Sequence, residues 1–159
     1  TKLKSAGVDF VYYGGYHPEM GLLLRQARQA GLNAKFMGPE GVGNKEISAI
    51  AGDASEGMLV TLPRAFETDP KNKALVDGFK AAKKDPSGIF VMPAYSAVKV
   101  IAEGIKKGGA EPAKVAAALR AGTFDTPIGA IGFDAKGDVK NFSFVVYQWH
   151  KDGSKTEAK

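Results

Sequence analysis

Short apolar runs and amphipathic stretches alternate along the first part of the chain. Residues 10–13 form a β-branched and aromatic run, which predicts a buried strand after a short helix that ends at Gly7. A Gly-Gly bend follows, and Pro18 is placed to open a helix that continues to Ala30 with apolar residues at helical spacing. The pattern therefore predicts a strand, a loop and a helix in succession.

The same unit recurs directly afterwards. Residues 35–37 predict a second strand, residues 38–43 a loop, and Asn44 the N-cap of a second helix. Residues 58–62 predict a third strand. Strands that alternate with amphipathic helices predict a parallel sheet flanked by helices, and hence an α/β fold.

The loops after the first two strands are the candidate functional edge. Ligands of open α/β sheets bind beyond the carboxyl ends of the strands, which points to residues 14–17 and 38–43. The second loop, GPEGVG, superficially resembles a phosphate-binding loop. No Gly-Lys-Ser/Thr follows it, and its glutamate would repel phosphate, so we reject a nucleotide site.

The pattern changes after Pro63. Residues 69–70 predict the start of a helix, and residues 85–88 (DPSG) interrupt the helical pattern before a long helix that follows residues 90–92. The first helix is expected to bury Leu75, Val76 and Phe79. Apolar residues of the long helix recur at helical spacing at Tyr95, Val98, Ile101, Ala102 and Ile105.

The last part of the chain is rich in β-forming residues. After a further helix over residues 112–122, residues 128–133 and 142–149 predict two strands. A turn at residues 134–138 is expected to join them, and residues 151–154 predict another turn.

The composition of the chain narrows the range of possible functions. Hydrophobic residues make up 44% and charged residues 25%, as in ordinary globular domains, and no apolar run approaches the length of a membrane-spanning helix. The net charge of +5 comes from scattered lysines, which favours a solvated surface over nucleic-acid binding. The chain has no cysteine and only two histidines, His17 and His150, which are expected to be surface or structural residues. We therefore expect no metal site, no catalytic residues and no cofactor.

Several motifs together resemble one known family. They are YYGGYHPEMG at residues 12–21, FMGPEGVG at 36–43, IAGDA at 50–54, EGM at 56–58, DPSG at 85–88 and VYQWH at 146–150. Each is weak alone, but in this order they resemble the leucine/isoleucine/valine-binding proteins of ABC transporters, the amino-acid branch of the type I periplasmic binding proteins. The matches extend over nearly the whole chain.

The resemblance implies parts of two Rossmann-like lobes of a three-layer αβα protein that traps its ligand between them. Residues 1–63 and 141–159 would belong to the C-terminal lobe, and residues 64–140 to the N-terminal lobe. Because the chain starts within an amphipathic helix, we expect Thr1 to be an internal boundary. The resemblance implies that the N-terminal half of the protein, and with it the remainder of both lobes, is missing. The implied function is capture of leucine, isoleucine or valine in the periplasm for a membrane permease of an ABC importer.

Glu40 is the first candidate for ligand binding. A carboxylate on this loop can pair with the α-ammonium group of an amino acid, and the resemblance assigns that role to the glutamate of the GPEG motif. From the residues alone, a solvated loop glutamate or one that caps the helix at Asn44 is the simpler interpretation.

Two aromatic residues complete the predicted site. The ring of Tyr16, after the Gly-Gly bend, can shield the ligand while its hydroxyl bonds the ligand carboxylate. Tyr13 competes for this role, but strand alternation favours Tyr13 as a core residue. The resemblance places Phe90 in the pocket for the aliphatic side chain, and the alternative is ordinary helix packing.

Two other functions stay open at this point. One is an amino-acid-sensing regulatory module with the same lobes. The other is an α/β enzyme that uses Glu40 as an acid or base, with His17 as the only nearby partner.

Overall fold

The computed structural model describes residues 1–158, which form two compact units. The first unit comprises Thr1–Leu62 together with the chain from Phe144 onward, and the second comprises Pro63–Ser143. The sequence-based division placed its boundaries after residues 63 and 140. Which lobe each unit represents stays a prediction.

Residues 1–158 contain seven strands and six α-helices. The strands are β1 (Phe10–Tyr12), β2 (Lys35–Gly38), β3 (Leu59–Pro63), β4 (Thr123–Thr126), β5 (Gly129–Gly132), β6 (Phe144–Trp149) and β7 (Lys155–Glu157). The helices are α1 (Lys2–Ser5), α2 (His17–Gln29), α3 (Glu46–Ala51), α4 (Lys73–Ala81), α5 (Val91–Gly108) and α6 (Pro112–Ala121). Short 3-10 turns occupy Glu40–Val42, Gly52–Ser55, Phe66–Thr68 and Pro70–Asn72.

A five-stranded sheet in the order β1-β2-β3-β6-β7 organises the first unit. The pairs β1–β2 and β2–β3 are parallel, as predicted, with Val11 opposite Phe36 and Met37 opposite Leu59. The last pair, β6–β7, is antiparallel. The carboxyl ends of β1 and β2 therefore meet at the same edge of the sheet.

The helices α2 and α3 bury one apolar face each. Met20, Leu24 and Ala27 recur every three or four residues along α2, and all three are buried. Burial of one large aliphatic side chain contributes about 1.5–3 kcal/mol to stability. Gly21 lets α2 approach α3 closely, since a Cβ atom at this position would lie 2.7 Å from Cγ2 of Ile50.

The prediction of a buried first strand was wrong on one face. Phe10 and Tyr12 are 46% and 58% exposed, whereas Val11 between them is half-buried. Phe10 and Tyr12 are exposed because β1 is the edge strand of the sheet within residues 1–158 and because successive side chains of a strand point to opposite faces.

The second unit contains α4, α5, α6 and the antiparallel pair β4–β5. Its buried core consists of Val100, Phe124 and Ile131, with Leu119, Ile128 and Phe133 packed around it. A Cβ atom at Gly104 would lie 2.7 Å from Cδ2 of Leu119, so this glycine allows α5 to contact α6 closely.

The C-terminal strands pair differently from the prediction. The predicted turn at residues 134–138 forms and is closed by an antiparallel bridge between Phe133 and Val139, but the two predicted strands on either side of it do not pair with each other. The strand predicted at 128–133 forms as β5 and pairs with β4, whereas the strand predicted at 142–149 forms as β6 and lies beside β3. Neither β4 nor β7 was predicted, since the short segments TFDT and KTE carry little apolar patterning.

The apolar stripe predicted along α5 is not the buried face. Tyr95, Val98, Ile101 and Ile105 are 43–68% exposed, while the buried positions are Met92, Ser96, Val100 and Gly104. Both stripes have helical spacing, so periodicity cannot tell which one faces the core. On α4, the side chains of Leu75, Val76 and Phe79 are half-buried rather than buried, and Phe79 makes an edge-on ring contact with Tyr95.

Across residues 1–158, the helices are too short or too polar to cross a lipid bilayer.

Candidate functional site

Glu40 lies on the turn that follows β2. Pro39 leads into the 3-10 turn, where the amide N–H of Val42 donates to Pro39 O (3.0 Å) and that of Gly43 donates to Glu40 O (2.8 Å). Fully buried Val42 anchors this turn to the core, whereas the Glu40 side chain is exposed. Within residues 1–158, no hydrogen bond or ion pair engages the Glu40 carboxylate. Its oxygens are therefore available to a ligand.

Tyr16 lies on the turn that follows β1. Its backbone is extended (φ −112°, ψ 164°) and forms the N-cap of α2, and its carbonyl oxygen accepts the amide N–H of Met20 at 3.1 Å. The Tyr16 side chain is 71% exposed. The helix start thus determines where the backbone of Tyr16 lies and leaves the ring accessible.

The two turns adjoin at Gly41. A Cβ atom at Gly41 would lie 2.7 Å from the carbonyl oxygen of Gly15 and 3.2 Å from Cδ1 of Tyr16. The Tyr16 ring therefore packs on the backbone immediately after Glu40. The exposed Tyr16 ring and the turn that carries Glu40 are thereby held in contact at the carboxyl ends of two parallel strands.

Tyr13, the competing aromatic residue, occupies a different position. Its amide N–H donates to Met37 O at 2.9 Å, which extends the pairing of β1 with β2, and the side chain is half-buried. The Tyr13 ring folds back over Gly15, where a Cβ atom would lie 2.6 Å from Cε1 of the ring. The assignment of Tyr16 rather than Tyr13 to the ligand stays a prediction.

Phe90 belongs to the second unit. It is the N-cap residue of α5, its carbonyl oxygen accepts the amide N–H of Ala94 at 2.9 Å, and its side chain is 53% exposed. The preceding turn is held by the amide N–H of Ser87, which donates to Asp85 Oδ1 at 2.8 Å. The helix start therefore positions an accessible aromatic ring here as well.

Both histidines have partners that sequence reasoning missed. His17 Nε2 lies 3.3 Å from Glu46 Oε2, and this contact joins the starts of α2 and α3. His150 lies between two groups, with Nδ1 2.9 Å from Glu56 Oε1 and Nε2 2.9 Å from Thr156 Oγ1. Glu46 is 29 residues from His17 and Glu56 is 94 residues from His150, so no local motif could have revealed these two contacts.

Glu56, His150, Lys151 and Thr156 form what we call the C-terminal clasp. The amide N–H of Lys151 donates to Glu56 Oε2 at 2.9 Å. This hydrogen bond lowers the pKa of the Glu56 carboxyl most, and the hydrogen bond from the His150 side chain lowers it further. A carboxylate, an imidazole and a hydroxyl also line up in hydrolytic triads. Here they tie the β6–β7 hairpin to the turn before β3, which gives them a structural role.

No set of three or more Cys, His, Asp or Glu side chains within residues 1–158 is arranged to hold a metal ion.

Several proteins of known type are similar to this chain in sequence. The sequence profile of the periplasmic binding protein family matches residues 1–154. All of this chain aligns, at 76% identity, with a leucine-, isoleucine-, valine-, threonine- and alanine-binding protein of Pseudomonas aeruginosa and covers 43% of that protein. All of it also aligns, at 53% identity, with a leucine-specific-binding protein of Salmonella typhimurium, and again covers 43%.

A solved structure shares the fold. A leucine binding protein from Thermotoga maritima matches 99% of this chain with a TM-score of 0.82 and 29% sequence identity, and the match covers 47% of that chain. This sequence thus spans less than half the length of the relatives it matches. The similarity confirms the α/β fold of the type I periplasmic binding proteins that the sequence motifs indicated. The chain belongs to the periplasmic binding protein family.

Proposed function

We propose that the full-length protein captures leucine, isoleucine or valine in the periplasm and delivers it to the permease of an ABC importer. The main observation behind it is that the turn of Glu40, whose carboxylate has no partner within residues 1–158, packs at Gly41 against the exposed Tyr16 ring. The names of the relatives, which describe amino-acid-binding proteins, point to the same class of ligand.

Glu40 would hold the positive end of the amino acid. An α-ammonium group has three N–H donors, and a carboxylate accepts them in short, charge-assisted hydrogen bonds. When water is excluded, loss of one partner of such a pair costs about 3–5 kcal/mol. The exposed position of Glu40 supports this role, since no group of the described chain competes for its oxygens.

Two aromatic rings would surround the rest of the ligand. Tyr16 would shield the ammonium–carboxylate pair from water and direct its hydroxyl to the ligand carboxylate. Phe90, in the other unit, would line the pocket for the aliphatic side chain. One methylene in an apolar pocket changes binding by only about 1–3 kcal/mol, which suits a receptor that accepts several branched side chains.

The remainder of a longer chain would complete the two lobes. The relatives are more than twice as long as this sequence, and here the exposed stripe of α5 leaves Val98 68% and Ile101 50% accessible. We propose that the N-terminal half of the protein covers this stripe and supplies the donors for the ligand carboxylate. The first unit would then be part of the C-terminal lobe and the second part of the N-terminal lobe.

Calorimetry on the full-length protein tests the proposed ligand class. We expect leucine, isoleucine and valine all to bind, valine about 10- to 200-fold more weakly because it lacks one methylene. Glutamate and lysine should bind more weakly than all three, because an apolar pocket would bury their charge without a partner. If glutamate bound as tightly as leucine, the proposed ligand class would be wrong.

A further inference from the structure

We infer that His17 and Glu46 form a brace that holds Tyr16 in position, which makes His17 a positioning residue of the binding site. This inference rests on the proposed function, because it concerns the same site. His17 directly follows Tyr16 in the chain and is the first residue of α2, and Glu46 is the first residue of α3.

The brace connects the two turns that carry the proposed ligand contacts. His17 Nε2 lies 3.3 Å from Glu46 Oε2, and the His17 side chain is 22% exposed. The amide N–H of Glu46 donates to Asn44 Oδ1 at 2.9 Å, which fixes the start of α3 just after the Glu40 turn. The contact therefore links the backbone beside Tyr16 to the segment that follows Glu40.

A second contact lies one helical turn further along α2. Gly21 follows His17 by four residues, so the two lie on the same face of the helix. A Cβ atom at Gly21 would lie 2.7 Å from Cγ2 of Ile50 on α3, so the two helices touch there. Two contacts on one face oppose a rolling motion of α2 against α3, and such a motion would lift the Tyr16 ring from Gly41.

The expected effect is modest, because Glu46 is 68% exposed and contacts between charged or polar side chains that solvent reaches contribute little to stability. The first test measures the leucine Kd of the full-length wild type and of His17→Gln, Glu46→Gln and the double variant by calorimetry. We expect each single variant to raise the leucine Kd two- to fivefold. The Kd of the double variant should be no higher than that of the single variant with the higher Kd.

His150→Gln is the matched control, since it also removes a histidine that contacts a glutamate in the first unit. It should leave the leucine Kd unchanged. If the two single effects multiply in the double variant, or if His150→Gln weakens binding as much, His17 and Glu46 do not act as a brace.

A second arm shows whether the brace acts through Tyr16. In a Tyr16→Ala background, His17→Gln should no longer change the leucine Kd. An equal loss with and without the Tyr16 ring would contradict the inference. Wild-type binding that is lost in Glu40→Gln but unchanged in both brace variants would overturn the brace and leave the proposed function standing. A wild-type protein that binds no leucine would overturn both.

Discussion

Gly41 packs so closely against Tyr16 that the turn after β2 has no room for a side chain at this position. A Cβ atom at Gly41 would lie 3.2 Å from Cδ1 of Tyr16 and 2.7 Å from the backbone oxygen of Gly15. A backbone oxygen cannot rotate away as a side chain can, so a larger residue must move one turn or the other. This contact makes the relative position of the two turns sensitive to a single methyl group.

Gly41→Ala should therefore weaken leucine binding about tenfold in the full-length protein, as measured by calorimetry. The reason is displacement of Tyr16 from its place beside Glu40, and misplacement of a contacting group by about 1 Å is costly. Gly14→Ala is the control, because a Cβ atom there would meet no atom within 4 Å. Equal Kd values for the two variants would show that the Gly41 contact does not matter for binding.

The C-terminal clasp gives stability that depends on pH. Hydrogen bonds from Lys151 and His150 lower the pKa of Glu56 in the folded protein below its unfolded value. A carboxyl group with a lowered folded pKa stabilises the protein above its unfolded pKa, about 4.3, and this contribution disappears as the pH falls through the folded pKa.

Glu56→Gln should therefore be less stable than the wild type at pH 7, and the difference should shrink as the pH falls below about 4. Urea denaturation at several pH values measures it. Glu19→Gln is the control, an exposed glutamate in the first turn of α2. A difference between Glu56→Gln and the wild type that stayed constant down to pH 3 would rule out a role for the ionised carboxylate.

Substitution by alanine is expected to change stability in opposite directions at two glycines of the second unit. Gly78 lies within α4, is exposed, and a Cβ atom there would meet nothing within 4 Å. Gly78→Ala should stabilise the protein by about 0.5–1 kcal/mol, since alanine loses less backbone entropy in a helix. Gly104→Ala should destabilise it by about 1–3 kcal/mol, because its Cβ atom would lie 2.7 Å from Leu119. A denaturant midpoint for Gly104→Ala that equalled or exceeded the wild-type value would contradict the packing of α5 on α6.

A substitution on the exposed stripe of α5 tests whether the N-terminal half of a longer protein covers this stripe. Val98 is 68% exposed here, and an aspartate at a truly exposed position changes stability by less than about 0.5 kcal/mol. If the N-terminal half covers the stripe, Val98→Asp should destabilise the full-length protein by more than about 2 kcal/mol, because it buries an unpaired charge. Lys99→Asp, on an exposed position beside it, is the control. A small effect of Val98→Asp in thermal unfolding would show that the stripe stays open to water.

Much of the first unit could be predicted from its sequence. Apolar runs bounded by glycine and proline marked β1, β2 and β3, and the rule that ligands bind beyond the carboxyl ends of parallel strands pointed to the turns of Tyr16 and Glu40. The structure places these turns in contact at Gly41. Local pattern was sufficient here because each element is short and its ends are marked.

The features that could not be predicted depend on contacts between distant parts of the chain. His17 and Glu46 are 29 residues apart, and His150 and Glu56 are 94 residues apart, so no spacing rule joins them. The polar segment Lys155–Glu157 forms β7 because its backbone pairs with β6 and the Thr156 hydroxyl contacts His150, and a pattern of apolar residues reveals neither contact. On α5, the apolar stripe stays exposed and the row of Met92, Ser96, Val100 and Gly104 is buried instead, a choice that tertiary packing makes.

One comparison of two ligands shows whether Glu40 holds the ammonium group of leucine. Calorimetry would measure binding of leucine and of 4-methylpentanoate, which is leucine without its amino group, to the full-length wild type and to Glu40→Gln. We expect Glu40→Gln to weaken leucine binding by about 3–5 kcal/mol, at least 100-fold, while binding of 4-methylpentanoate stays the same or improves. An equal loss of affinity for both ligands, or no loss for leucine, would contradict the assignment.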